Sequence, residues 1–447
     1  MKKVLTLLLS VGLVFGLAAC AEETPAPTTP STPTTPTTPT TPAEPAGRTL
    51  PRGITIEFWH SMSRANGDAV QYLVDRFNAE NEYGITVNAT YQGSYNDAHQ
   101  KVTAALVAGS EFPSIGQAYG NNVVTYFPSG KVLQLDEFIF DPEWGIEDFE
   151  DILLGYRQES SAFPDGKFYT LPFSKSTEVL YYNPDFFNKE GLWADRQGPV
   201  FTPPTTWEEL EATAKAITAI TGKPSFGYDS IANLFITWTQ QNNGRYTASD
   251  GSILFNNFEA VQAVEFFAKG VREGYFRVAG DDRFLSGPFV AGDVMMYIGS
   301  TSGSVFNQSD LFTYGAAQVP FGPSRKVIQQ GANFFMLDNG DDKNLAAFVF
   351  INFVLEAEQT AQWAIRSGYL PVRTSARDLP FYREFLESNV NPTKEVGASY
   401  LSNEYIYDAI FAESFSVRQT VDVAVQEVLA GRKTAAEAIQ DAYNGLQ

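Results

Sequence analysis

The spacing of apolar residues changes character along this chain, and each change marks an element. Ile54-Thr55-Ile56-Glu57-Phe58-Trp59 reads as a strand. Apolar residues at 69, 70, 73, 74 and 77 then fall on one face of a helix over 68–78. A second strand is predicted over 84–91 and a second helix over 97–108. Strands alternating with helices point to an α/β lobe with a largely parallel sheet. Thr206-Trp207-Glu208-Glu209 spells a capping box that opens a helix through Ile220, and 259–273 is amphipathic again. Ser249-Asp250-Gly251-Ser252 predicts a turn before a short strand, and Gly292-Asp293 a turn into a strand ending at Tyr297. The segment 417–443 is helical apart from a break at Gly431-Arg432-Lys433-Thr434.

The first fifty residues follow different rules. Lys2 and Lys3 precede the apolar run 4–15, which ends in Leu17-Ala18-Ala19-Cys20. Cations, a short apolar stretch and small residues before a cysteine describe a lipoprotein signal peptide over 1–19. An uncleaved membrane anchor is the alternative, but spanning a bilayer takes roughly 20 apolar residues. Cys20 is the only cysteine of the chain and is the expected lipidation site. Residues 20–50 form a linker whose stretch 24–46 is almost entirely Thr, Pro, Ala and Ser with no apolar face to bury, so it is expected to stay extended. The protein is thus expected outside the cytoplasm, anchored by lipid to a cell-envelope membrane.

About 400 residues remain, and 44% hydrophobic and 14% aromatic residues over the whole chain suffice for a large core, at a length that favours two lobes. A formal charge of −21 argues against nucleic acid and against broad contact with anionic lipid, leaving the anchor as the only membrane attachment. His60 and His99 are too few and too far apart in sequence for a zinc site, and the single cysteine is committed to lipid. No GxSxG elbow, phosphate loop or dinucleotide fingerprint follows a strand. The run 338–344 faintly resembles a calcium loop but lacks its closing Glu, and reads better as a helix-start turn. Neither a metal nor a cofactor is expected, and nothing demands catalysis. A carboxylate pair of glycosidase type stays compatible with the composition.

Several motifs together resemble the extracellular solute-binding proteins of bacterial ABC importers, in the maltodextrin and glycerol-phosphate group. They are Phe58-Trp59-His60-Ser61-Met62, Arg76-Phe77-Asn78, Tyr91-Gln92-Gly93-Ser94-Tyr95, Leu180-Tyr181-Tyr182-Asn183, Thr206-Trp207-Glu208-Glu209 and Gly368-Tyr369-Leu370-Pro371. The opening motif with the Tyr-rich one after it is most similar to the glycerol-3-phosphate-binding proteins. The resemblance implies an α/β, two-lobed, clam-like (type II) periplasmic-binding-protein fold with hinge crossings. Lobe 1 would comprise 51–175 and 312–357, and lobe 2 176–311 and 358–447, with crossings near 173–178, 312 and 356. It further implies a monomer that captures a small molecule and presents it to ABC permease subunits. The ligand would be a glycerol phosphate, a glycerophosphodiester or an oligosaccharide. A sensor or adhesion lipoprotein of the same fold is the alternative.

The same resemblance places Tyr95, Ser176, Ser300 or Thr301, Gly331, Tyr369 and Arg418 on ligand-binding positions. Their chemistry agrees: an arginine can fork onto an oxyanion, and a tyrosine offers an apolar face with a hydroxyl. Each has a plainer reading, as a surface ion pair, a turn or core. Gly120 stands where the group carries a carboxylate, and Ala232 and Phe235 where it carries tryptophans. These departures suggest a roomier pocket, with Tyr119, Tyr126, Phe235 and Trp238 as possible stacking platforms.

Overall fold

Two β-sheets, each backed by its own hydrophobic core, organise the chain. The computed structural model describes residues 49–50, 52–190 and 202–447. The expected signal peptide, Cys20 and most of the linker lie outside the described residues. The strands are β1 (Thr55–His60), β2 (Thr86–Tyr91), β3 (Ile115–Ala118), β4 (Leu171–Pro172), β5 (Ser176–Tyr182) and β6 (Phe226–Tyr228). They continue with β7 (Phe276–Arg277), β8 (Met296–Ser300), β9 (Gly315–Ala317), β10 (Val327–Gln330), β11 (Asn333–Met336) and β12 (Tyr405–Ile406).

The first sheet has the order β2-β1-β3-β11-β4; the second is β12-β10-β5-β8-β6-β7, with β9 added to β5. β1 pairs in parallel with β2 and β3, and the helices Ala65–Glu80 and Tyr95–Ala108 make the connections that parallel neighbours require. β6, β7 and β8 are likewise parallel. β11 runs against β3 and β4, and β5 against β8, β9 and β10. The antiparallel strands are the ones next to the crossings. The segment after 249–252 forms no strand: its tight turn closes on itself through one bridge, Thr247 to Ile253.

Strand pairing locates the crossings. Pro172 pairs in the first sheet and Ser176 in the second, so the chain crosses over 173–175, within the expected stretch. The return expected near Phe312 falls later, at 331–332, because β9 and β10 both bond to β5. The exit expected near Glu356 is also displaced. Helix Ala357–Arg366 packs against helix Ala65–Glu80, and Trp363, Tyr369 and Val372 complete the first core. The chain rejoins the second lobe with helix Pro392–Ala398, which packs on β5 and β9.

Candidate functional site

The carboxyl ends of the parallel strands in both sheets open onto one cavity of about 710 Å³. Loops leaving those ends are where open α/β sheets take ligands. From the first lobe, β1 leads to Ser61 and Asn66, β2 to Ser94 and Tyr95, and β3 to Tyr119, Asn121 and Asn122. From the second, β6 leads to Asp229 and Asn233, β7 to Arg283, and β8 to Ser300 and Ser302.

Buried polar residues hold these loops. His60 is kept neutral by burial, which lowers its pKa to about 4, and its Nδ1 accepts the Met62 N–H at 3.2 Å. Gln117 on β3 accepts the Ser61 N–H at 2.9 Å and donates to Ser174 Oγ at 2.8 Å. Ser300 and Ser176 are joined at 3.0 Å across β8 and β5. The Tyr95 and Tyr369 hydroxyls lie 3.5 Å apart, and the Tyr95 ring meets Tyr119 edge-on at 5.1 Å. Burial raises the pKa of all three tyrosines, so their hydroxyls stay protonated and can both donate and accept.

The crossings meet under the cavity in an ionic cluster. Fully buried Lys175 donates to both Glu159 oxygens at 2.9 and 2.8 Å, to Gly331 O at 3.0 Å and to Asn333 Oδ1 at 3.1 Å. Gln329 also donates to Glu159. Two strands of the hinge are thereby tied to helix Leu154–Ser160 of the first lobe.

Arg418, on helix Ser414–Leu429, reaches the cavity from the second lobe. Its Nη1 donates to Asp408 at 2.7 Å and its Nη2 to Asn233 Oδ1. Asn233 Nδ2 in turn donates to Glu178 at 2.7 Å, and Tyr228 donates to the other Glu178 oxygen. Burial raises Glu178 and Asp229 to about 7. Among the described residues lining the cavity, Arg283 and Arg418 are the cations, against Glu159, Glu178, Asp229, Asp408 and Asp422. Four lining atoms, Ser61 Oγ, Asn121 Oδ1, Gln329 Oε1 and Asp408 Oδ1, are closed to solvent and have no hydrogen-bond partner among the described residues.

Of the residues singled out from sequence, Tyr95, Tyr119, Ser176, Ser300, Gly331, Tyr369 and Arg418 line this single cavity. Thr301 does not: one step beyond Ser300 it turns inward, 0% exposed, with its methyl against Gly397. Phe235 is 1% exposed in the second lobe's core, edge-on to Tyr246 and Phe255, and is not a stacking surface. Trp238 stacks on Phe266, one turn further down helix Ile231–Gln241, so it too is packing. Tyr126 is buried against His99 and Phe335. Gly120 leaves no added room, because a side chain there would meet Ile410 Cδ1 at 2.4 Å.

The sequence reading missed Asn121, Glu178, Asp229, Asn233, Gln329 and Asp408. Asn121, Asp229 and Asn233 could have been found from their place just beyond strand ends. Asp408, in a loop between β12 and the helix carrying Arg418, has no local signal.

The sequence profile described as bacterial extracellular solute-binding protein matches residues 72–387. The sn-glycerol-3-phosphate-binding periplasmic protein UgpB of Shigella dysenteriae serotype 1 is 30% identical over 414 residues, 87% of this chain and 90% of that protein. UgpB of Escherichia coli K12 is 29% identical over 415 residues, with the same coverage of both chains. Among solved structures, UgpB from Mycobacterium tuberculosis in complex with glycerophosphocholine superposes with a TM-score of 0.76 at 22% identity, covering 88% of this chain and 97% of that one. The cyclic alpha-maltosyl-1,6-maltose binding protein from Arthrobacter globiformis gives 0.72 at 23% identity, covering 88% and 98%. Profile, relatives and two-lobed architecture agree: the chain belongs to the bacterial extracellular solute-binding protein family.

Proposed function

We propose that this protein is the receptor of an ABC importer and captures a glycerophosphodiester between its lobes for delivery to the permease. The observation that carries the ligand class is the setting of Arg418. Its guanidinium is already shared with Asp408, and with Arg283, the second cation among the described lining residues, it faces five carboxylates. A phosphate monoester, carrying about −1.5 to −2 charge at neutral pH, meets too little positive charge there. A diester carries one negative charge, and the tyrosines, serines and amides of the lining suit its glycerol hydroxyls. The glycerophosphocholine of the Mycobacterium tuberculosis relative is such a compound. Binding on both lobes favours the closed state, and the permease would read that state. The protein acts as a monomer and makes or breaks no bond.

Calorimetric titration with glycerophosphocholine, glycerol 3-phosphate and maltotriose tests the ligand class. The diester is expected to bind tightest, and at one hundred times its dissociation constant it would add about 2.7 kcal/mol of stability. Tighter binding of glycerol 3-phosphate would sink the charge argument. Oligosaccharide is the second reading, favoured by the Tyr95–Tyr119 pair in a lining rich in hydroxyls and amides, and preference for maltotriose would select it. We also propose that Cys20 carries the lipid. Cys20→Ser should abolish labelling by a fatty-acid analogue and release the protein from membranes, and retention of both would refute the anchor.

A further inference from the structure

Asp408 lines the cavity beside Arg418. Its Oδ2 accepts from Arg418 at 2.7 Å, whereas its Oδ1 is closed to solvent and has no donor among the described residues. The segment that carries it is held on both sides. β12, two residues before, pairs with β10 of the second lobe, and Ile410, two residues after, packs with Phe163 and Phe335 of the first. The arginine is fixed as well: Asn233 accepts from its second terminal nitrogen, and Glu178 holds the Asn233 amide so that the oxygen faces Arg418. Both terminal nitrogens of the guanidinium are thus engaged by protein acceptors before any solute arrives.

A carboxylate held against a guanidinium offsets its charge and repels a second anion brought to the same place. We infer that Asp408 is a specificity-determining residue, which neutralises Arg418 against phosphate monoesters. This rests on the cavity being the solute site proposed above, and it refines which solutes fit.

The test is calorimetric titration of the full chain and its Asp408→Asn and Asp408→Ala variants with inorganic phosphate, glycerol 3-phosphate, glycerophosphocholine and maltotriose. Thermal melting serves as the folding control. Asp408→Asn keeps the shape and removes the charge. It should bind inorganic phosphate and glycerol 3-phosphate at least tenfold more tightly than the unaltered protein does, and Asp408→Ala should change in the same direction. Unchanged or weaker phosphate binding in every folded variant would overturn the inference, since a merely structural residue would weaken all four compounds alike. The phosphate gain does not depend on which compound the unaltered protein prefers. If that protein favours none of the hydroxyl compounds, the diester reading fails while the gain still supports Asp408.

Discussion

Glu178 illustrates how a single buried carboxyl shapes this site. Burial raises its pKa to about 7, despite donors from Tyr228 and Asn233 and the nearby Arg418 that favour ionisation. Asp229 is raised to about 7 for the same first reason. In the unfolded chain such groups ionise near about 4. Their contribution to stability is therefore complete below about pH 4. As pH rises toward 7, the unfolded chain releases protons that the native one keeps, and the contribution is lost. For Glu178 this amounts to on the order of 3 kcal/mol at most. Glu178→Gln is neutral in both states, so its unfolding free energy, measured by urea titration, should fall less between pH 5 and pH 8 than that of the unaltered protein. Identical pH slopes would contradict the assignment. No sequence motif flags Glu178, whereas Tyr369 was legible from its Gly-Tyr-Leu-Pro motif and Arg418 from the family resemblance. Phe235 and Trp238 went astray because helix Ile231–Gln241 presents only its first residues to the cavity. Each further turn of about 5.4 Å carries a side chain away from it.

At the scale of elements, local signals were legible and non-local ones were not. Thr206 caps its helix by accepting from Glu209 N at 3.2 Å, as its spelling predicts. The Glu209 carboxylate accepts one residue further back, from Thr205 N–H at 2.8 Å, so the box is offset rather than closed. Complete capping boxes occur at Ser94–Asp97 and at Thr434–Glu437, the second at the predicted break near the C-terminus. The run 338–344 is a helix start: Asp338 accepts from Gly340 N at 3.1 Å and from Asn344 Nδ2 at 2.9 Å. Helix Asp341–Val354 gave no amphipathic pattern because Leu345, Phe348, Phe350 and Ile351 leave almost no polar face, as befits a helix buried in a lobe's core. β9 and β10 were invisible to periodicity. Both are short, and what makes them strands is pairing with β5, more than a hundred residues earlier. That distance also explains the displaced lobe boundaries, since only a partner strand decides which sheet a segment joins.

The two lobes have separate cores, so the relation between them depends on a few crossing residues, and Gly331 is the most constrained of these. Its φ of +103° lies where other residues are strained, and an added Cβ would stand 1.9 Å from Ser174 O on the neighbouring crossing strand. Its carbonyl also accepts from Lys175 within the hinge cluster. Elsewhere the lobes meet through the His99 and Phe415 rings at 5.5 Å, Arg64 over Phe306 at 5.8 Å, Ile410 packed with Phe163 and Phe335, and Lys394 donating to Ser367 O at 2.8 Å. Any movement of one lobe against the other must bend the crossings and leave them intact. Gly331→Ala should therefore act on the hinge and spare the lobes. Backbone strain costs about 1–3 kcal/mol, and overpacking against Ser174 costs about 1–3 kcal/mol more. Part of that can be relieved by shifting one lobe relative to the other, which misaligns residues that must meet the solute together. The urea midpoint should fall, and affinity for the preferred solute should drop at least tenfold, although Gly331 could offer the solute only backbone atoms. Unaltered affinity with a lowered midpoint would show that the strain is absorbed within the crossing strands and that this glycine serves folding alone.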